Sequence, residues 1–156
     1  MKREFVIERS QVIARPVEEV FEFFSDADNL AAITPGWLRF DIVTPAPIEM
    51  AVGTLIDYRI RLHGIPMRWR SVITAWDPPN RFVDEQVRGP YRRWVHEHTF
   101  EPDGASRTII RDRVRYHVPG GTLAHKLFVE PDLERVFTYR ARKLDEIFHA
   151  APAASP

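Results

Sequence analysis

The stretch YRRWVHEHTF, residues 91–100, decides the reading of the fold. Trp94, His96, His98 and Phe100 share one face, and Arg93, Val95, Glu97 and Thr99 share the other. A period of two means a β-strand with one face against a core. The aromatic row belongs inside, and it carries two imidazoles with it. In residues 107–118, Ile110, Asp112, Val114, Tyr116 and Val118 alternate with Arg111, Arg113, Arg115 and His117. Three arginines two apart cannot all be buried, so Asp112 points inward with the apolar residues. Phe82 as a core residue brings Asp84 and Gln86 to the same side. Tyr58, Trp69 and Ser71 face inward by the same logic.

Working outward, residues 3–14 read as a strand whose inward parity is ambiguous: Phe5, Ile7 and Ile13 compete with Val6 and Val12. Pro16 marks a helix start, followed by Val17, Val20, Phe21 and Phe24 at helical spacing. A second short helix is expected over Asp26 to Ile33, ended by Thr34-Pro35-Gly36. Strands are expected from Leu38 to Val43, from Gly53 to Leu62, from Met67 to Thr74, from Phe82 to Val87, from Tyr91 to Phe100 and from Arg107 to Val118. His63-Gly64-Ile65-Pro66, Asp77-Pro78-Pro79-Asn80 and Gly89-Pro90 supply turns. The period then changes. Leu133, Val136, Phe137, Ala141, Leu144 and Phe148 recur at three and four, an amphipathic helix opened by Pro131-Asp132. A shorter helix is expected before it, around Leu123 to Val129.

The predicted class is therefore α+β, a seven-stranded curved antiparallel sheet around a long C-terminal helix, with two short helices after the first strand. One helix cannot cover one face of seven strands. A sheet curled around it encloses space, the physical basis for a ligand cavity. Residues 1–149 are read as one domain and 150–156, rich in Ala, Pro and Ser, as a disordered tail.

The 156-residue chain carries 22 basic and 22 acidic side chains and no cysteine. Charge balance gives no general reason to expect nucleic acid or an anionic membrane as partner. The absence of cysteine excludes disulfides, thiolate metal sites and a Cys nucleophile. Residues 1–5 open no apolar leader, and no apolar run approaches the roughly 20 residues of a membrane helix. A cytoplasmic protein without stable membrane insertion is expected, its oligomeric state open.

The inferred interior holds Asp84, Gln86, His96, His98 and Asp112, framed by Tyr58, Trp69, Trp94 and Tyr116. A plain core would place Val, Ile and Leu there. Arg140 joins the set from the apolar stripe of the long helix, between Phe137 and Leu144. It must meet a carboxylate, a carbonyl or water, so it either pairs with the interior acids or holds an anionic ligand group. His96 or His98, oriented by Asp84 or Asp112, suits general acid–base chemistry, with Tyr58 or Tyr116 on an enolate oxygen. The competing reading is a polar network that satisfies itself and shapes a binding pocket. His-x-His on a strand is too weak a pattern to assign a metal. No nucleophile elbow surrounds Ser71, and no phosphate-binding Gly motif is present. The outer arginines, Arg59, Arg61, Arg68, Arg70, Arg111, Arg113 and Arg115, read as a solvated face with cross-strand ion pairs to Glu85 and Glu97, a docking surface for an acidic partner being the rival reading.

Residues 14–21 (ARPVEEVF), Thr34-Pro35-Gly36-Trp37-Leu38, Phe82-Val83-Asp84-Glu85-Gln86 with Gly89-Pro90-Tyr91, residues 94–100 and Phe137-Thr138-Tyr139-Arg140 together resemble the START-like, or SRPBCC, superfamily, and within it polyketide cyclase/dehydrase-like proteins. The resemblance spans residue 3 to about 149. It implies the helix-grip fold and a hydrophobic cavity between sheet and helix, with no single activity. The expectation is binding of a hydrophobic, oxygen-bearing small molecule such as a polyketide, isoprenoid or lipid, without a cofactor. The ligand would lie against Tyr58, Trp69, Ser71, Gln86, Trp94, Tyr116, Phe137 and Arg140. The alternatives are a cofactor-free cyclase or dehydratase using the His/Asp cluster, and a protein-interaction module with a filled interior.

Overall fold

In the computed structural model, which describes residues 3–149, seven strands form one antiparallel sheet. They are β1 (Phe5–Ile13), β2 (Asp41–Ile42), β3 (Leu55–Leu62), β4 (Ile65–Asp77), β5 (Arg81–Arg88), β6 (Arg93–Pro102) and β7 (Thr108–His117), in spatial order β1-β7-β6-β5-β4-β3-β2. Helices α1 (Val17–Ser25) and α2 (Asp28–Ala32) follow β1, and a short 3₁₀ turn, Gly36–Leu38, follows α2. The chain closes on α3 (Gly121–Ala124), a π turn (His125–Val129) and α4 (Glu130–His149). The expected disordered tail lies outside the described residues. No helix among the described residues is long and apolar enough to cross a membrane.

Pairing resolves the parity of β1. Its partner β7 sets Ile7 opposite Val114 and Ile13 opposite Thr108, so the odd-numbered residues face in. Val6 and Val12 are left about half exposed. Two polar residues of that inward row, at the sheet edge, reach the helix instead of the core. Arg9 pairs with Glu134, and Gln11 Nε2 donates to the Ala141 carbonyl at 2.8 Å.

Three expectations are corrected. The strand expected over Leu38–Val43 shrinks to Asp41–Ile42, because the 3₁₀ turn and a left-handed Arg39 (φ 47°) consume its start. The two expected C-terminal helices are one continuous run. The π turn carries the backbone into Pro131 with the Glu130 N–H donating to the His125 carbonyl, so the proline's missing donor falls where the helix is already irregular. The third concerns β4. Its register against β5 shifts between Ile73 and Ala75, and a bulge reverses the alternation there. β4 thus runs past the expected Met67–Thr74 to Asp77, and Trp76, beyond the expected strand, packs against Phe21 and Phe82.

Helix α4 and strands β6 and β7 each contribute to three layers. Leu144 and Phe148 of α4, Phe100 of β6 and Ile110 of β7 pack with Val17, Val20 and Phe21 of α1 in one apolar cluster. Leu133 and Phe137, Trp94 and Val114, with Trp69 of β4, form a second. Between them the same elements place Arg140, His96, His98 and Asp112, all buried. The polar layer is thus a slice through the whole core.

Candidate ligand-binding site

A hollow of about 210 Å³ lies between the sheet and α4. Tyr58, Trp69, Trp94 and Phe137 supply aromatic wall, and Ser71, Asp84, His96, His98 and Arg140 supply polar lining. Asp26 and Trp37 are among its more exposed lining residues and mark where it meets solvent.

Register sets the polar geometry. Asp84 stands opposite His96, and His98 opposite Asp112. The strongest contacts run diagonally: His96 Nε2 to Asp112 Oδ1 at 2.8 Å and His98 Nε2 to Asp84 Oδ2 at 2.7 Å. The two imidazoles stack at 3.7 Å between centroids, and Phe82 stacks on the outer face of His98 at 4.1 Å. Arg140 Nη2 donates to Asp112 Oδ1 at 3.0 Å, with its guanidinium over the Phe24 ring at 5.3 Å. Its Nε is the one buried side-chain polar atom without a partner among the described residues.

Charge follows from these contacts. Burial pushes the Asp112 carboxyl up, but Arg140, His96 and His98 outweigh it and hold the group well below the usual carboxylate range. Asp84 is likewise lowered: burial opposes, and the His98 hydrogen bond with the charges of His96, His98 and Arg140 prevails. Burial pulls His98 down, but hydrogen bonds to Asp112 and Asp84 win, so it is raised and stands as an imidazolium between two carboxylates. His98 Nδ1 and Arg140 Nη2, 3.5 Å apart, are two donors converging on the same Asp112 oxygen. His96 goes the other way. Burial and the neighbouring His98 charge lower it to about 4, against the pull of Asp112. Two carboxylates, one guanidinium and one imidazolium leave the layer neutral, as burial demands.

His96 is therefore neutral, with Nε2–H donating to ionised Asp112 and Nδ1 carrying the lone pair. Among the described residues that Nδ1 makes no hydrogen bond, and His96 is one of the side chains that line the hollow. The same holds for Asp84 Oδ1. Nearby, Ser71 Oγ accepts from Trp69 Nε1 at 2.9 Å and lies 3.3 Å from the Tyr58 hydroxyl. Burial and Asp84 push Tyr58 up, which keeps its hydroxyl protonated.

Of the residues expected at the site, Tyr58, Trp69, Ser71, Asp84, Trp94, His96, His98, Phe137 and Arg140 come together around the hollow. Asp112 lies behind the imidazoles and acts on them. Gln86 and Tyr116 are engaged elsewhere. Gln86 accepts from the Tyr91 N–H at 3.1 Å and donates to its carbonyl at 2.7 Å, closing the β5–β6 turn. The Tyr116 hydroxyl bonds His125 Nε2 at 2.7 Å under the π turn. Lining residues that alternation did not reveal are Trp37, Phe40, Met50 and Tyr91. All lie in turns or connections outside the strands, where no period reports a face.

Asp84, His96 and His98 also bring candidate metal-ligand atoms within 4.8 Å of one another. The arrangement does not fit an ion. Imidazole lone pairs lie in the ring plane, and rings stacked 25° from parallel do not converge on one point. The Arg140 guanidinium beside them opposes a divalent cation.

A curved antiparallel sheet closed over a long C-terminal helix, with a hollow between them, defines a helix-grip domain of the START-like type. The chain belongs to the polyketide cyclase/dehydrase and lipid transport family, whose model matches residues 13–144. It is 27% identical over 115 residues to an uncharacterized protein, MT0096, of Mycobacterium tuberculosis, covering 73% of this chain and 49% of that protein. The chain thus spans about half the length of that relative. Norcoclaurine synthase from Thalictrum flavum superposes with a TM-score of 0.70 at 17% identity, covering 96% of this chain and 97% of that one. The Zhui aromatase/cyclase from Streptomyces sp. R1128 gives 0.70 at 17% identity over 96% and 99%. TTHA0849 from Thermus thermophilus gives 0.74 at 20% identity over 96% and 100%. At these identities the likeness is one of fold.

Proposed function

We propose that the domain binds a hydrophobic small molecule through a hydroxyl or phenol group, which donates to His96 Nδ1 while its rings lie against Trp69, Trp94 and Phe137. The observation that carries this reading is the unengaged lone pair of a neutral imidazole, beside the free oxygen of Asp84, in an otherwise aromatic hollow. Acceptors without donors ask the ligand for donors. An anionic ligand is disfavoured: Asp84 repels it, and Arg140 already spends its charge on Asp112. The volume suits a skeleton of roughly one to two rings, given that a ~150 Å³ apolar cavity holds benzene.

Catalysis is the second reading, because the Asp112–His96 pair has the orientation of a general-base dyad. Its weakness is basicity. A base lowered to about 4 is poorly matched to neutral pH, and His98 has both nitrogens committed to carboxylates. An interaction module with a filled interior fits the open hollow less well.

The experiment is a tryptophan-fluorescence titration with 2-naphthol, naphthalene and 2-naphthoate. The expected order places 2-naphthol about tenfold or more tighter than naphthalene, with 2-naphthoate weakest. Tightest binding of 2-naphthoate would mean that Arg140 receives an anion and would overturn the reading. If His96→Ala spares binding while abolishing turnover of a cyclisable substrate, the enzyme reading replaces it.

A further inference from the structure

The outer side of the sheet, behind the strands that line the hollow, sets arginines against one another. Pairing of β3 with β4 puts Arg59 directly opposite Arg68. Between β4 and β5 the register jumps from Ser71–Gln86 to Arg70–Arg88. Val87 is the extra residue of that bulge, and Arg88 is carried onto the outer side opposite Arg70. Two like-charged cross-strand pairs therefore lie two residues apart along β4. Each is unfavourable by itself, because like charges directly opposite repel. All four side chains are exposed.

The acids nearby do not balance them. Among the described residues the only ion pair these four make is Arg70 with Asp57, two-pronged at 2.7 and 3.1 Å. That hydrogen bond and the charges of Arg70, Arg68 and Arg88 hold the Asp57 carboxyl below its usual range against burial, so three guanidinium groups converge on one carboxylate. Asp41 stands opposite Arg59 on β2. Glu85, opposite Val72 one row further on, is the next acid, while Arg61 and Arg93 add cations on the same side. The segments outside the described residues, 1–2 and 150–156, contain no acidic side chain to supply the difference.

Apolar side chains border the arginines. Leu55 lies opposite Val72, and the Val43 N–H donates to the Asp57 carbonyl at 2.8 Å. Leu55, Val43 and Val87 are each 45–58% exposed. The outward residues of β3, β4 and β5 include no aromatic ring on which a base could stack, which disfavours nucleic acid. The two arginine rows are roughly 7 Å apart along the strands, close to the ~6 Å between residues i and i+4 of a helix.

We propose that this outer face docks an acidic amphipathic helix of a partner protein. Its carboxylates, one turn apart, sit over the Arg59–Arg68 and Arg70–Arg88 rows, and its apolar residues meet Leu55, Val43 and Val87. The chain itself carries that acidic spacing in Glu18 and Glu22 of α1, both exposed. A second copy seated by them makes a head-to-tail contact, whose product is a ring or an open filament.

The test is a fluorescence-anisotropy titration of the full chain against a labelled helical peptide of Glu, Ala and Leu, its counterpart with Lys in place of Glu, and a labelled DNA duplex. The acidic peptide is expected to bind and to weaken severalfold with added salt, and the basic peptide not to bind. Arg68→Glu and Arg88→Glu each lower affinity about tenfold or more, and Leu55→Ser about fivefold. Arg107→Glu, the same charge change on the β6–β7 turn, leaves it unchanged. Each reversal turns a like pair into an opposite one, so the urea midpoint stays at or above that of the parent, and lost binding is not unfolding. Should a reversal variant fail to fold, Arg68→Gln and Arg88→Gln replace it, with losses of about threefold. Affinity for 2-naphthol is retained throughout, which separates this face from the hollow. No binding of the acidic peptide, or equal binding by parent and variants, would overturn the proposal. So would tighter binding of the duplex that the same variants lose, because nucleic acid would then be the occupant. Self-association abolished by both Arg68→Glu and Glu22→Lys would overturn it too, in favour of a second copy.

Discussion

Replacing Arg140 by methionine tests the polar layer most directly. The Arg140–Asp112 contact is 3.0 Å long, and both side chains keep about a tenth of their surface exposed. Methionine preserves much of the packing against Phe24 and Phe137 but removes the charge. Asp112 is left with His96 and the shared His98, and the layer carries an uncompensated negative charge. Breaking one side of a buried ion pair costs about 3–5 kcal/mol. For a domain of this size that lowers the melting temperature by roughly 6–20 °C. Urea unfolding monitored by far-UV circular dichroism measures the loss. Asp112→Asn in the Arg140→Met background removes the stranded charge while an amide oxygen still accepts from His96. The double variant is therefore expected to recover about 2 kcal/mol relative to Arg140→Met alone. A loss under about 1 kcal/mol for Arg140→Met, with no recovery in the double variant, would mean that the guanidinium is satisfied by water or ligand instead of Asp112. The description of the layer as a closed set of charges would then be wrong.

Acid stability should report on His96. Its folded pKa, about 4, lies below the ordinary 6.5, so its contribution is present above pH 6.5 and is lost as pH falls towards 4. The displacement corresponds to roughly 3 kcal/mol, and His96→Phe should flatten that part of the stability profile, measured by urea midpoints across pH. An unchanged slope would show that His96 titrates as an ordinary histidine. His98 is raised and acts with the opposite sign: its stabilisation is complete below pH 6.5 and fades as pH rises through its folded pKa. Asp112→Asn should therefore weaken the alkaline decline in stability, with a retained decline refuting the assignment of His98 as imidazolium. Ser71→Ala removes the acceptor for Trp69 Nε1 and the partner of the Tyr58 hydroxyl, and should cost about 1–3 kcal/mol with an altered tryptophan emission. Gln86→Ala frees Tyr91 from its two turn hydrogen bonds. Because Tyr91 lines the hollow, naphthol affinity should fall even though Gln86 itself is remote from it. Unchanged affinity would place Tyr91 outside the binding surface.

The sequence by itself determined which side chains share a face. Alternation in residues 94–100 and 110–118 needs only the local pleat, and it turned the imidazoles and Asp112 inward without reference to any other strand. Helical spacing did the same for Arg140. What local periods do not contain is register. Opposition of Asp84 to His96 and of Asp112 to His98 arises from how three strands slide against one another. The diagonal hydrogen bonds, the free Nδ1 and the divided titration of the two histidines follow from that register. Tertiary structure also decided where alternation breaks, as at the β4 bulge that turns Trp76 inward. It decided which polar residues are diverted to turns and helix contacts, as Gln86 and Tyr116 are. The hollow is the furthest from local reading. Trp37, Met50 and Phe137 lie on three segments distant in the chain, and only the closing of the sheet over α4 sets them around one space.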